Sequence, residues 1–228
     1  MMPLKFLLFD IDGTLIHSGG AGKLAIRQTF QEDFGIADPQ VDIDYGGRTD
    51  QSLARELLDV NRIPYDLGAV GDYLEGYHRR LPAAMKECSG KLLPGVRDLL
   101  NELHRDDGVV LGIVTGNTRQ GASVKLSHFD IDQYFVFGGY GDVKEARSEI
   151  AYQGIIAAQE FHGSPLNRSQ FLVIGDTPSD VACARDVEVP VLAVLTGFAS
   201  ESSVRASKPD HIFEDLTDID KFRAILRP

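Results

Sequence analysis

Cysteine is scarce in this chain. Cys88 and Cys183 are the only two, far apart and in no C-x-x-C arrangement. That spacing argues against a disulfide framework or a zinc site and reads as free thiols in a reducing cytoplasm. Long apolar runs are missing too. The opening MMPLKFLLF is cut short by Asp10, too early for a signal peptide or a membrane span, and no later stretch approaches about 18 apolar residues. Positive charge is also in short supply, with 23 Lys and Arg against 34 Asp and Glu and a formal net charge of -11. Nucleic-acid surfaces reward clustered Lys and Arg, so nucleic acid is not expected as a partner. An anionic ligand would need its positive charge supplied locally, by a metal or by a few placed cations. Neither an internal repeat nor a low-complexity tract occurs.

What is present suffices for a real core. The chain has 228 residues, 43% hydrophobic and 25% charged, enough for one large domain or one domain carrying an insertion. The stretch FLLFDIDGTLIHSGG, residues 6–20, organises the rest. Its apolar run stops at Asp10 and Asp12, followed by Gly13 and Thr14, which suits a strand buried on both faces of a parallel sheet. Residues i and i+2 of a strand point the same way, so both carboxylates can reach one spot past the strand's end. Two carboxylates so close imply a Mg2+ site, an acid/base partnership, or both. The bland reading of D-x-D-G-T is a polar turn.

From Gly19 to about Gly35 the apolar residues fall at near-helical intervals, and helical patterns recur in QSLARELLDVN and from about Asp66 to Cys88. No strong strand signal interrupts residues 17–90, which read as a mostly helical unit set between strands of something else. Pro94 and Gly95 open a helix, VRDLLNELHR. VVLGIV, residues 109–114, is a second buried strand that ends at Thr115, Gly116 and Asn117, with a helix from about Arg119 to His128. YFVFGG reads as a third strand, QGIIAAQEFHG as a helix, and FLVIGDTPSD as a fourth strand ending at Gly175 and Asp176. VPVLAVLTG is a fifth, DHIF a short sixth, and a helix near Ile219–Leu226 closes the chain. The alternation predicts an α/β fold with a doubly wound parallel sheet.

Three strand ends carry polar residues of the kinds phosphoryl transfer requires. Residues 10–14, 115–117 and 175–180, in this order, resemble the haloacid dehalogenase-like hydrolase superfamily, whose members are mostly Mg2+-dependent phosphatases. The helical insertion resembles the cap of its phosphoglycolate-phosphatase and β-phosphoglucomutase branch. The resemblance implies a Rossmann-like core from residues 1–16 and 91–228 and a helical cap from 17–90. It further implies a cytoplasmic enzyme, monomer or homodimer, acting on a small phosphorylated metabolite away from any membrane. A sugar phosphomutase and a non-catalytic phosphometabolite-binding protein are the alternatives.

Carried onto this sequence, Asp10 would be the nucleophile that forms an aspartyl-phosphate, and Asp12 the acid that protonates the leaving oxygen and then activates water. The superfamily's dehalogenases lack this second aspartate. Thr115 and the backbone N–H groups of Gly116 and Asn117 would cradle the phosphoryl oxygens; the bland reading of TGN is a helix cap. Asp176 would complete the metal site beside Asp10 and the main-chain carbonyl of Asp12. Asp180, one turn on, would face the same ion or orient its neighbours, unless it is only a first-turn acid. The superfamily also needs a cation, often in a K-P-x-P segment that this chain lacks. Lys125 is the assignment, although its distance from the helix start strains its reach, with Lys144 and Arg147 as alternatives. Arg48, in a cap loop, would hold a second anionic group of the substrate, or else be an uncommitted surface arginine. His17 reads as a structural or solvated histidine, and Lys23, where phosphonate-cleaving relatives would carry a Schiff-base lysine, is a single lysine on a helix and weak evidence for that chemistry.

Overall fold

A computed structural model describes residues 4–64, 66–142 and 146–227. Lys144 lies outside the described residues. In chain order the elements are β1 (Lys5–Phe9), β2 (Ile16–His17), α1 (Ala21–Glu32), α2 (Asp50–Val60), α3 (Leu67–Glu87), β3 (Lys91–Leu92), α4 (Val96–His104) and β4 (Val109–Val114). There follow α5 (Arg119–His128), β5 (Phe137–Gly139), α6 (Arg147–His162), β6 (Phe171–Gly175), α7 (Pro178–Asp186), β7 (Val191–Val194), α8 (Glu201–Ala206), β8 (His211–Phe213) and α9 (Ile219–Leu226).

The core sheet has the order β5-β4-β1-β6-β7-β8, and every pairing in it is parallel. Alternation along β1 sends Leu7 and Phe9 to one face and Phe6 and Leu8 to the other, and all four are fully buried. The first face packs on Leu99, Leu100 and Leu103 of α4, Leu126 of α5 and Phe222 of α9. The second packs on Ile150 and Ile155 of α6 and on Val181 and Ala184 of α7. A sheet covered on both faces explains why its strands read as continuous apolar runs. Next to β1 the chain order reverses, because β1 pairs with β4 on one side and β6 on the other. Ligands of open α/β sheets bind at the carboxyl ends of strands at such a switch point.

Helices α1, α2 and α3 stand between β2 and β3, which form a separate antiparallel ribbon pairing Ile16 with Leu92 and His17 with Lys91. They bury their own cluster, centred on Phe30, Leu57, Leu58 and Leu81. This helical unit is docked on the core. Asp50 N–H donates to the Gly116 carbonyl at 2.8 Å, and Thr118 N–H donates to Asp50 Oδ2 at 2.7 Å. His78 Nε2 and Thr118 Oγ1 are hydrogen-bonded at 2.6 Å.

Two elements differ from the sequence reading. The third strand is confined to Phe137–Gly139, because Asp132–Tyr134 coils into a 3-10 turn that takes the aromatic start of YFVFGG. Helix α6 begins at Arg147, well before the apolar pattern that signalled it.

Candidate active site

The first strand delivers its carboxylates by continuing its pairing one residue beyond Phe9: Asp10 N–H donates to the Ile174 carbonyl of β6 at 2.9 Å. The chain then turns at Gly13, whose φ of 88° suits glycine alone and where a Cβ would collide with the Asp176 carboxylate. Thr14 Oγ1 donates to Asp176 Oδ1 at 3.1 Å. At the end of β6, Thr177 caps α7 with Pro178 in the first helical position, a residue pre-set for that φ. Asp180 closes the capping box: its Oδ2 accepts from Thr177 N–H at 3.0 Å and from Thr177 Oγ1 at 2.7 Å. The first-turn role of Asp180 is therefore real, and its other oxygen still faces the site, paired with Arg147.

Asp10, Asp176 and Asp180 each bring a carboxylate oxygen within 4.8 Å of the others, and all three are buried. Burial pushes the Asp10 carboxyl up to about 7; Asp180 and Asp12 add to the rise, while Arg147 and the Ile11 N–H oppose it. Burial also raises Asp176 well above the usual carboxylate range, with Asp180 and Asp10 adding to the rise. Arg147 is the one cation in contact with this group among the described residues, its Nη2 3.4 Å from Asp10 Oδ1. Burial works against its charge, but Asp180 and Asp10 more than offset that, so its pKa lies above the ordinary value. Its Nε is buried with no hydrogen-bond partner among the described residues. Three buried acids facing one guanidinium leave negative charge to be neutralised. An all-oxygen donor set of this kind suits a hard divalent cation.

Asp12 stands outside that trio. Its Oδ2 accepts from Lys125 Nζ at 2.6 Å and from Asn117 Nδ2 at 2.9 Å, and Lys125 also donates to Asn117 Oδ1 at 2.6 Å. Lys125 thus reaches the strand tips from the last turn of α5, because helical side chains lean toward the N-terminus and a lysine stem spans the remaining turn. Thr115 Oγ1 accepts from Asn117 Nδ2 at 2.8 Å and from Asn117 N–H at 3.3 Å, which leaves its own O–H to donate. At Gly116 a Cβ would strike the Arg48 carbonyl, so the two loops touch backbone to backbone.

Arg48 lines the same cavity, but its guanidinium is neither exposed nor uncommitted. It pairs with Glu56 and donates to the carbonyls of Asp44 at 3.3 Å and Ser52 at 3.2 Å. Sequence reasoning placed Thr14 and Thr177 in its motifs without a role of their own and passed over Asp50 and His78. Thr177, directly before Pro178 and three residues before an acid, carried a capping-box signal; nothing in the sequence announced the partners of the other three.

The strand tips and the helical unit enclose a cavity of about 980 Å3 lined by Asp10, Asp12, Thr115, Lys125, Arg147 and Asp176, among others. A parallel sheet with its acids converging at the switch point, under a helical insertion, defines a class. The family model for haloacid dehalogenase-like hydrolase matches residues 7–194, and the chain belongs to that family. A Caldanaerobacter subterraneus subsp. tengcongensis protein bearing the name of the pyrophosphatase PpaX is 28% identical over 94% of this chain and 92% of its own length. A phosphoglycolate phosphatase of Synechococcus elongatus is 27% identical over 95% of each chain. The crystal structure of a predicted phosphoglycolate phosphatase from Haemophilus somnus 129pt superposes with a TM-score of 0.76 at 22% identity, over 98% of this chain and 99% of that one, and shares the fold. No helix among the described residues is long and apolar enough to cross a membrane.

Proposed function

We propose that the chain is a Mg2+-dependent phosphatase that hydrolyses a small phosphomonoester through an aspartyl-phosphate on Asp10, with residues 17–90 as its cap. The observation that carries this reading is the convergence of Asp10, Asp176 and Asp180 within 4.8 Å, beside an Asp12 bound to Lys125. The names of the relatives, phosphatases and a pyrophosphatase, support the same class of chemistry.

Asp10, Asp176 and Asp180, with the Asp12 carbonyl, would hold the ion; bound there, Mg2+ would offset the repulsion between substrate phosphate and carboxylates and polarise the phosphoryl oxygens. A carboxylate oxygen of Asp10 attacks phosphorus as the bond to the leaving oxygen breaks, and Asp12 gives that oxygen its proton. Asp12 then takes a proton from water, whose oxygen attacks phosphorus, frees the Asp10 carboxylate and releases inorganic phosphate. Lys125 and Asn117 hold Asp12 in position through both steps. Arg147, which lines the cavity beside Asp10, and the Thr115 hydroxyl are suited to the phosphoryl oxygens.

The test is phosphate release from an aryl phosphate with Mg2+ present. Wild-type protein should turn it over and lose the activity in chelator, and Asp10→Asn should abolish it. Unchanged turnover in Asp10→Asn would remove the nucleophile assignment.

A further inference from the structure

The carboxylates and their cations occupy the core half of the cavity; the opposite half is of different character. With the helical unit hydrogen-bonded to the core through Asp50 and Thr118, the walls away from the strand tips are built by Ile26 of α1, Leu53 of α2 and Tyr73, Leu74 and Tyr77 of α3. Phe198 completes this wall from the loop after β7, 80% exposed, with its ring 5.0 Å from that of His17. An aromatic ring so open to solvent at the edge of an apolar wall is surface waiting to be covered.

Charge on this side is engaged. Among the described residues, the cap contributes two cations to the lining, Lys23 and Arg48. Lys23 is paired with Asp42 at the surface, and Arg48 is held by Glu56 and two carbonyls. Asp44 and Asp50 line the same space and would repel a further anion. A carboxylate or second phosphate on the leaving group would therefore have to displace Asp42 or Glu56 from its cation against that repulsion. About 980 Å3 is also at the upper end of the range for drug-sized ligands, far more than a two-carbon acid fills.

We infer that the leaving group of the substrate is uncharged and presents an aromatic or broad apolar face, which the exposed Phe198 covers against the wall where the buried Tyr73 and Tyr77 line the cavity, and that this chain discriminates against phosphoglycolate and pyrophosphate. The inference rests on the phosphatase reading and narrows it, away from the substrates in the relatives' names. A single methylene in a hydrophobic pocket changes kcat/KM by about 10- to 200-fold, and a fused aromatic face covers more apolar surface than that, so the preference should be large.

The experiment compares phosphate release by the full chain, with Mg2+, from 1-naphthyl phosphate, methyl phosphate, 2-phosphoglycolate and pyrophosphate. The expected kcat/KM for 1-naphthyl phosphate exceeds those for phosphoglycolate and pyrophosphate by about 100-fold. Phe198→Ala, at an exposed position that folding does not need, should raise KM for 1-naphthyl phosphate about tenfold with kcat nearly unchanged, and move KM for methyl phosphate less than about twofold. Equal or better turnover of phosphoglycolate or pyrophosphate, or an equal KM shift for both esters in Phe198→Ala, overturns the inference and leaves the phosphatase standing. If no compound releases phosphate, the phosphatase reading falls, and calorimetry with Mg2+ of the wild-type protein, which then consumes none of the compounds, decides the cavity's preference. Tighter binding of 1-naphthyl phosphate than of phosphoglycolate supports it, and the reverse order overturns it.

Discussion

Removing the candidate nucleophile should stabilise the metal-free protein. Asp10 is buried beside Asp180 and Asp12, and its carboxyl is raised from 3.8 to about 7. In the unfolded chain the carboxyl titrates near its ordinary value, so between about pH 4 and pH 7 the native state binds a proton that the unfolded state does not. Stability of wild type therefore falls as pH rises through that window, and the raised carboxyl of Asp176 extends the fall to higher pH. At about 1.4 kcal/mol per pH unit the share of Asp10 is on the order of a few kcal/mol. Arg147 keeps a partner in Asp180 when Asp10 becomes neutral, so Asp10→Asn should recover about 2–4 kcal/mol at pH 8. For a chain of this size that is a rise in Tm of roughly 5–15 °C. The assay is calorimetric or circular-dichroism melting of both proteins in chelator from pH 5 to 8, where the gap should widen with pH. Excess Mg2+ should close it, because the ion stabilises the wild-type carboxylates. A variant that melts at or below wild type at pH 8, or a gap independent of pH, would refute the reasoning.

Two further substitutions probe the rest of the site. Lys125→Met, which keeps the stem and removes the charge, should lower kcat on an aryl phosphate by about 10²-fold. Its melting temperature should fall by a few degrees, because water can replace the ammonium at the 38% exposed Asp12 side chain but the buried Asn117 Oδ1 loses its donor, at a cost of about 1–3 kcal/mol. Gly116→Ala should drive the loop at 115–117 away from the Arg48 carbonyl, costing about 1–3 kcal/mol of stability and raising KM; an unchanged melting curve and KM would show that the two loops are not in contact.

The buried strands were legible because a sheet covered on both faces leaves continuous apolar runs, and the runs at 5–9, 109–114 and 171–175 became neighbours whose tips meet. Helix α5 was found at Arg119–His128, where a Thr cap and a patterned segment coincide. Helix α6 was entered late because its first turn holds Arg147 and Glu149, polar residues that hide helical periodicity. Within the site, proximity in sequence was easy to use and proximity in space was not. Asp10, Asp12 and Asp176 follow their strands directly, so their convergence could be argued. Arg147, named as an alternative to Lys125, stands against Asp10 and Asp180, while Lys125 stands against Asp12. Both cations therefore reach the strand tips, each beside a different carboxylate. The hold of Glu56 on Arg48 depends on how α2 departs from its loop, which no local pattern reports.

The ribbon of Ile16–His17 against Lys91–Leu92 carries a consequence for timing. Ile16 is bridged to Asp12 and its carbonyl accepts from Gly13 N–H at 2.9 Å, so the ribbon and the Asp12 turn share one knot of backbone. If helices α1–α3 act as the proposed cap, any swing about that ribbon would pull on the turn that carries Asp12, while Lys125 and Asn117 anchor its carboxylate to the core. Opening the door would then tug on the proposed trigger through the chain's own connectivity.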